Sequence, residues 1–514
     1  MVGAGDSDTR EMIAKAEEGD EVSGHSKRLK TRKGKSKKSR ANNKQMGNLI
    51  APILSNLPDL RSLYNIATSS PHVLHLLNSP VGAGVLDDVL VSSAENLATT
   101  PWMPHIMRLV ALIRHCSPIN QPASNLSAFV TAFEMPTTLT IVEDLSVPDL
   151  QAWPPNFTSR IRLSDVMRGP QGFKAWEIIF LAQKINALSI ECFDYFHERI
   201  KATKPQHLTD KCYHLDTLPW NRRPDDQTWG ESYKMNAGDG PSWYELQRIV
   251  LGFWYLQLCY ELNNAASEGR LQWSSSDIET IRYMESAGKI LPGPRESMDW
   301  IVRESLWSVL VYVRDLEGLP DGGSCVGGTD DVNQGLSVFF SPGFKSLQDK
   351  HHQLPSPKRR NAALEWPTIA LRPPPLASVT RVLTYHSEKV LTGCKGYHWA
   401  GPLLCPRGGS RLIQGLLFRP FRRLGFSIWD DERLVEMEML DDPENRRPRR
   451  FHVWSQDQVF TWTSLLSLEE KEELRLYQEA LQLKEEREFG ELLIGGTVPC
   501  KSSDNEPTTD VYEN

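Results

Sequence analysis

"FKAWEIIFLAQKINALSIECFDYFHERI", Phe173 to Ile200, decides the fold class of this 514-residue chain. Apolar side chains fall at Phe173, Trp176, Ile179, Phe180, Ile185, Leu188, Cys192, Phe193 and Phe196. Helical residues turn by about 100° each, so this spacing gathers them on one face of a helix about seven turns long. A face of that length must be covered, and the chain supplies the cover. Tyr244–Leu262 and Trp300–Val313 are predicted as two further buried helices. Between the helices, "DTLPWNRRPDDQTWGE" (216–231) and "MNAGDGPSW" (235–243) carry the Pro, Asp and Gly of loops. Strand-like alternation is confined to Thr137–Val142 and Leu336–Phe340. A doubly wound α/β sheet is therefore disfavoured, and a mainly α fold is predicted.

Composition narrows the class. Fifteen tryptophans provide large anchors for an extensive core. The most apolar run, Ile249–Leu262, is too short for a membrane span and contains Gln257 and Glu261, so it reads as a buried helix. The first 30 residues lack an apolar signal-peptide core, and the eight cysteines are scattered without paired spacing. Both features point to a reducing compartment, nuclear or cytoplasmic, and away from secretion.

Charge is unevenly spread. Ten basic residues and no acidic one lie between positions 27 and 44: Lys27, Arg28, Lys30, Arg32, Lys33, Lys35, Lys37, Lys38, Arg40 and Lys44. Removing them from a net charge of −7 leaves −17 on the rest. Residues 1–45 have too few large apolar side chains to offset chain entropy and are expected to be disordered. The basic arm fits a nuclear-import signal or a contact with nucleic-acid phosphates; without interleaved aromatics, base stacking is unsupported.

No recognisable reaction geometry emerges. The glycine-rich "DGGSCVGGTDD" (321–331) lacks the Lys-Ser/Thr ending of a phosphate loop. Cys394, His398 and Cys405 are close together, but zinc needs a fourth ligand and usually tighter cysteine pairs. "FHERI" at Phe196 fails as a zinc-peptidase helix because Lys201 stands four residues after His197. No cofactor and no catalytic residue is assigned.

The amino-terminal stretch "ILSNLPDLRSLYNIATSSPHVLHLL" (53–77) has another character. Leu49, Ile50, Ile53, Leu54 and Leu57 repeat at helical spacing until Pro58. Asp59 is placed to cap a second short helix carrying Leu60, Leu63, Ile66 and Ala67. Ser70-Pro71 opens a third with a capping serine and a proline at the first helical position. Such short helices cannot bury their apolar faces alone and must pack on the downstream body or on a partner.

This stretch resembles an F-box, in the divergent form heading many fungal F-box-like proteins. The residues that carry the likeness are Ile53-Leu54-x-x-Leu57-Pro58 and Leu60-x-x-Leu63-x-x-x-Ala67. The family usually opens with Leu-Pro and an acidic residue, where this chain has Gln45, Met46 and Asn48, and Pro52 falls inside the first helix. The resemblance implies a substrate receptor of a Skp–cullin–F-box ubiquitin ligase, with transfer carried out by other subunits. Leu49, Ile50, Ile53, Leu54, Leu57 and Leu60 would be divided between docking the Skp-type adaptor and packing the module, and the body would hold a protein substrate. "FRRLGFSIWDDERL" (421–434) is similar to the carboxy-terminal region of the same fungal set. Its physical reading is structural, with Asp430 as a helix cap.

The expected layout follows: a disordered basic arm (1–45), an F-box-like helical module (46–81), an irregular helical body (82–340), an exposed Pro-rich basic linker (341–378), a carboxy-terminal helical region (379–494) and a disordered tail (495–514). Within the last helical region, Ser467 precedes Glu470 at capping-box spacing and opens a long charged helix, with Leu474, Tyr477 and Leu481 as its apolar stripe. The alternative to a receptor is a nuclear scaffold in which residues 53–77 are core and the basic arm touches nucleic acid.

Overall fold

The computed structural model describes residues 49–95, 99–100, 103–133, 161–166, 174–208, 229–282, 295–318, 353–358, 366, 418–440 and 460–494. The basic arm, the glycine-rich loop, the Cys394/His398/Cys405 group, both predicted strands and the carboxy-terminal tail lie outside the described residues. The chain divides into two units, residues 1–50 and 51–514. In the first, Leu49 and Ile50 are helical, Leu49 exposed and Ile50 half-buried. The second is mainly helical, as predicted.

The second unit begins with helical residues 51–55 and continues through α1 (Leu60–Ser69), α2 (Pro71–Leu77) and α3 (Pro80–Glu95). The caps form where their residue types predict. Asp59 Oδ1 accepts the Ser62 N–H at 2.7 Å, and Ser70 caps α2 with Pro71 in its first turn. Then come α4 (Met103–Arg114), α5 (Leu126–Phe133), α6 (Leu163–Val166) and α7 (Ala175–Lys201), the last being the helix of the opening stretch. The buried face of α7 runs through Ile178, Ile185, Leu188, Cys192 and Phe196. Phe180, expected on that face, is 45% exposed. It stands about 200° around the helix from Ile178, on the opposite side.

After α7 come the strands β1 (Gln206–Leu208) and β2 (Trp229–Ser232), paired antiparallel. The ladder claims the last residues of a stretch that reads as loop. The other edge of β1 is held by Thr461 N–H donating to Gln206 O at 3.0 Å and by Ser464 Oγ accepting from Gln206 N–H at 3.1 Å. Such pairing between residues 258 positions apart leaves no local pattern.

The centre of the fold is α8 (Trp243–Ser267), buried on every side from Trp243 to Leu262. It packs against α4, α7, α9 (Ser275–Arg282) and α10 (Arg295–Leu316). Gly252 sets the α8–α10 spacing: a Cβ there would lie 2.8 Å from Ser305 O and 2.9 Å from Val309 Cγ2. Only a residue without a side chain admits that approach. A capping box starts α8, with Ser242 and Glu245 each accepting the other's backbone N–H.

Residues 353–358 depart from the predicted exposed linker. Leu354 is 2% exposed, its carbonyl accepts from Lys184 Nζ at 2.7 Å, and Lys358 N–H donates to Glu191 at 3.0 Å. An apolar residue just ahead of Pro355 thus docks on α7. The chain then supplies α11 (Arg419–Arg422), α12 (Asp431–Glu436) and the long α13 (Leu468–Ile494). The predicted capping box of α13 is present, with Ser467 N–H to Glu470 at 2.8 Å and Glu470 N–H to Ser467 Oγ at 3.2 Å. Leu474 and Tyr477 are buried; the Leu481 side chain lies outside the described set.

Candidate functional site

Two regions singled out by sequence are built in opposite ways. At the amino-terminal edge of the second unit, Ile53 is 68% exposed while the adjacent Leu54 is 2% exposed. Neighbouring helical residues differ by about 100° in direction, so one faces water and the other the core. Leu57 is half-buried and Leu60 is buried. Leu54 and Leu60 are therefore committed to the chain's own interior and cannot touch a partner without unfolding this edge. Ile53, beside the exposed Pro52 and Pro58, can. In the first unit, Leu49 is 70% exposed.

Behind this edge the helices are anchored to the body. α1, α2 and α3 all contact α7. The Tyr64 ring stacks on Trp176 with centroids 5.4 Å apart and planes at 13°, and Trp366 meets it from another direction at 5.7 Å. Asp87 on α3 accepts from Arg108 Nε of α4 at 2.7 Å and from the Leu163 N–H of α6 at 2.8 Å. Burial raises the Asp87 carboxyl, against the pull of Arg108.

The second region, "FRRLGFSIWDDERL", is sealed. Phe421, Phe426, Ile428, Trp429 and Leu434 are all buried. Gly425 has φ +82, and a side chain there would also strike the Trp429 indole, whose Nε1 donates to Leu424 O at 2.8 Å; both demand glycine. Asp430 caps α12 through the Arg433 N–H at 2.9 Å, the role its position predicts. Arg433 donates through Nε to Glu245 at 2.7 Å and reaches the Ala237 and Gly240 carbonyls, with its guanidinium 5.1 Å from the Phe193 ring centre. Burial, reinforced by Asp430, pushes the Glu245 carboxyl up to about 7 despite Arg433. Arg248 Nη1 donates to Ile428 O at 2.5 Å, and Arg422 pairs with Glu304. These charged side chains were not assigned roles from sequence. The available signal was a set of arginines and acids interrupting an apolar run, which demands buried partners.

His197 is a satisfied core histidine: its Nε2 lies 3.2 Å from Ala237 O and 2.9 Å from Gly238 O. Burial lowers its basicity. Among the described residues, no group of three or more His, Cys, Asp or Glu is placed to hold a metal ion, and no helix is long and apolar enough to cross a membrane. Chemically, the amino-terminal edge offers apolar contact, and the carboxy-terminal motif offers cohesion. Comparison with family models, characterised proteins and solved structures finds no match to this chain.

Proposed function

We propose that this chain is an F-box-like receptor, nuclear or cytoplasmic, that docks a Skp-type adaptor through its amino-terminal edge and holds a protein substrate on its helical body. In this reading it carries no catalytic group, and ubiquitin transfer belongs to other subunits. The observation that supports it is the alternation at Ile53 and Leu54, 68% and 2% exposed. An apolar side chain is left in water at a position where the F-box skeleton predicts adaptor contact, while its neighbour secures the helix. Exposed apolar side chains beside a well-anchored scaffold suit partner docking.

The test is co-purification of the full chain with a Skp-type adaptor. Ile53→Asp is expected to abolish capture without lowering the unfolding midpoint, because the side chain is outside the core. Leu54→Asp would instead unfold the edge and is uninformative. Wild-type chain that captures no adaptor, or Ile53→Asp chain that captures it as well as wild type, overturns the reading.

Burial of Leu54, Leu60, Leu63 and Leu77 favours a second reading, a scaffold whose basic arm contacts nucleic acid. Binding that weakens steeply with salt and is lost on deleting residues 27–44 would support it.

A further inference from the structure

Between the amino-terminal helices and the body lies a cavity of about 230 Å³. Buried Met103 and Met107 of α4 and Leu246, Val250 and Trp254 of α8 line its interior. Half-buried Asp59 and exposed Arg61, at the start of α1, mark its rim. Trp366 forms part of the wall.

Four uncharged polar side chains, Ser93, Thr99, Asn186 and Gln247, join that lining. Ser93 on α3 is 2% exposed, and its Oγ has no hydrogen-bond partner. Helical serines ordinarily satisfy the hydroxyl on the carbonyl four residues back. Ser189 does so on Ile185 O at 2.7 Å, and Ser308 on Glu304 O at 2.8 Å. Ser93 does not, and an unsatisfied buried hydroxyl costs stability. Gln247 uses Oε1 to accept from Thr100 N–H at 3.3 Å and Thr99 Oγ1 at 3.5 Å, which leaves its Nε2 as a donor. Asn186 commits Nδ2 to Ala182 O at 3.1 Å, which leaves Oδ1 as an acceptor.

We propose that this cavity binds a small neutral aromatic molecule bearing one group that both donates and accepts hydrogen bonds, such as a carboxamide or a phenol. Size selects the class: an apolar cavity of about 150 Å³ admits benzene, so this one takes a ring with a substituent. Thioethers and an indole favour an aromatic ring. The buried part of the lining offers hydroxyl and amide groups. The charges, Asp59 and Arg61 of opposite sign, stand together at the rim, so a carboxylate or ammonium drawn inside would lose its hydration without a buried counter-charge. Ser93 and Gln247 supply donors, and Asn186 supplies an acceptor. Because the walls come from α1, α3, α4, α7 and α8, an occupant ties the amino-terminal helices to the body and raises the unfolding midpoint. This site does not depend on the adaptor reading.

The test uses the full chain with benzamide and phenol as probes and benzoate as the charged control, followed by saturation-transfer NMR and thermal unfolding. Benzamide is expected to bind saturably and to raise the midpoint, with benzoate at least about tenfold weaker. Ser93→Ala should weaken benzamide by roughly five- to tenfold while leaving the unliganded midpoint equal or higher. Val250→Phe, which narrows the cavity, should abolish binding; should that variant fail to fold, Ser93→Ala alone decides. Absence of saturable binding by both neutral probes, benzoate binding as tightly as benzamide, or unchanged benzamide affinity in Ser93→Ala each overturns the proposal.

Discussion

The Arg422 guanidinium meets the Glu304 carboxylate in two parallel hydrogen bonds, Nε to Oε2 at 2.7 Å and Nη2 to Oε1 at 3.0 Å, with both side chains almost sealed from water. The pair joins α11 to α10, and the guanidinium also lies 5.7 Å from the ring centres of Trp307 and Phe418. A buried charge loses its hydration, so this arrangement holds only while both partners are present.

Removing one partner should therefore be far worse than removing both. Glu304→Met alone, or Arg422→Leu alone, is expected to cost about 3–5 kcal/mol because the survivor is left buried and unpaired. The double variant should cost much less than the sum. Urea unfolding of the four chains measures this in one cycle; additive losses would refute the coupling.

Two buried groups should impose opposite pH dependences. Burial, with Asp430, raises Glu245 from 4.5 to about 7. The folded chain then holds this proton more tightly than the unfolded chain, so the Glu245 contribution is fully present below pH 4.5 and is lost as pH climbs to about 7. Burial lowers His105 from 6.5 to about 4, with its Nε2 3.0 Å from Phe133 O. Here the unfolded chain binds the proton more tightly, so stability is present above pH 6.5 and is lost as pH falls toward 4. The shifts are similar in size, and over the shared window they offset each other. Relative to wild type, Glu245→Gln should gain ground as pH rises from 4.5 to 7, and His105→Gln as pH falls from 6.5 to 4. Denaturant midpoints across that range check both signs.

Glu438 occupies a position that glycine would fill better. Its φ is 57 at the end of α12, where Met439 and Leu440 N–H groups return to Leu434 O at 2.9 and 3.1 Å. This is a left-handed helix termination, and a Cβ there is strained. His207 Nε2 lies 3.4 Å from the Glu438 carboxylate, a contact between exposed side chains that adds little. Glu438→Gly is expected to stabilise by about 0.5–1 kcal/mol, whereas Glu438→Ala keeps the strain and gains nothing. Thermal unfolding of the two variants separates them.

What the sequence reveals in this protein is what is decided within a few residues. Asp59, Ser70, Asp430 and Ser467 cap helices where their spacing predicts, because each bond closes over three residues. The identical Ser-x-x-Glu spacing at Ser242 and Glu245 marks the start of α8 and was available to the same reasoning. The long helices α7, α8 and α10 were legible from their apolar content. Their faces were less so: the period places Phe180 only within the helix, and tertiary packing decides which side is covered. The seating of Leu354 on α7 and the Arg433–Glu245 bond join residues 170 and 188 positions apart. No window of sequence contains both ends of such contacts. At the candidate edge, helical spacing grouped Ile53 with Leu54, and only the folded chain separates them.

The position of residues 418–440 in the interior has a consequence for biosynthesis. These residues leave the ribosome after α8, which they cover, and translation at about 5–20 residues per second puts roughly 8–30 seconds between the two. During that interval the Arg248 side and the Phe193 surface stand open, so the nascent chain presents a sticky, incomplete interior to chaperones. Ribosome-bound chains halted at residue 417 should bind a hydrophobic dye, and those extended well past residue 494 should not.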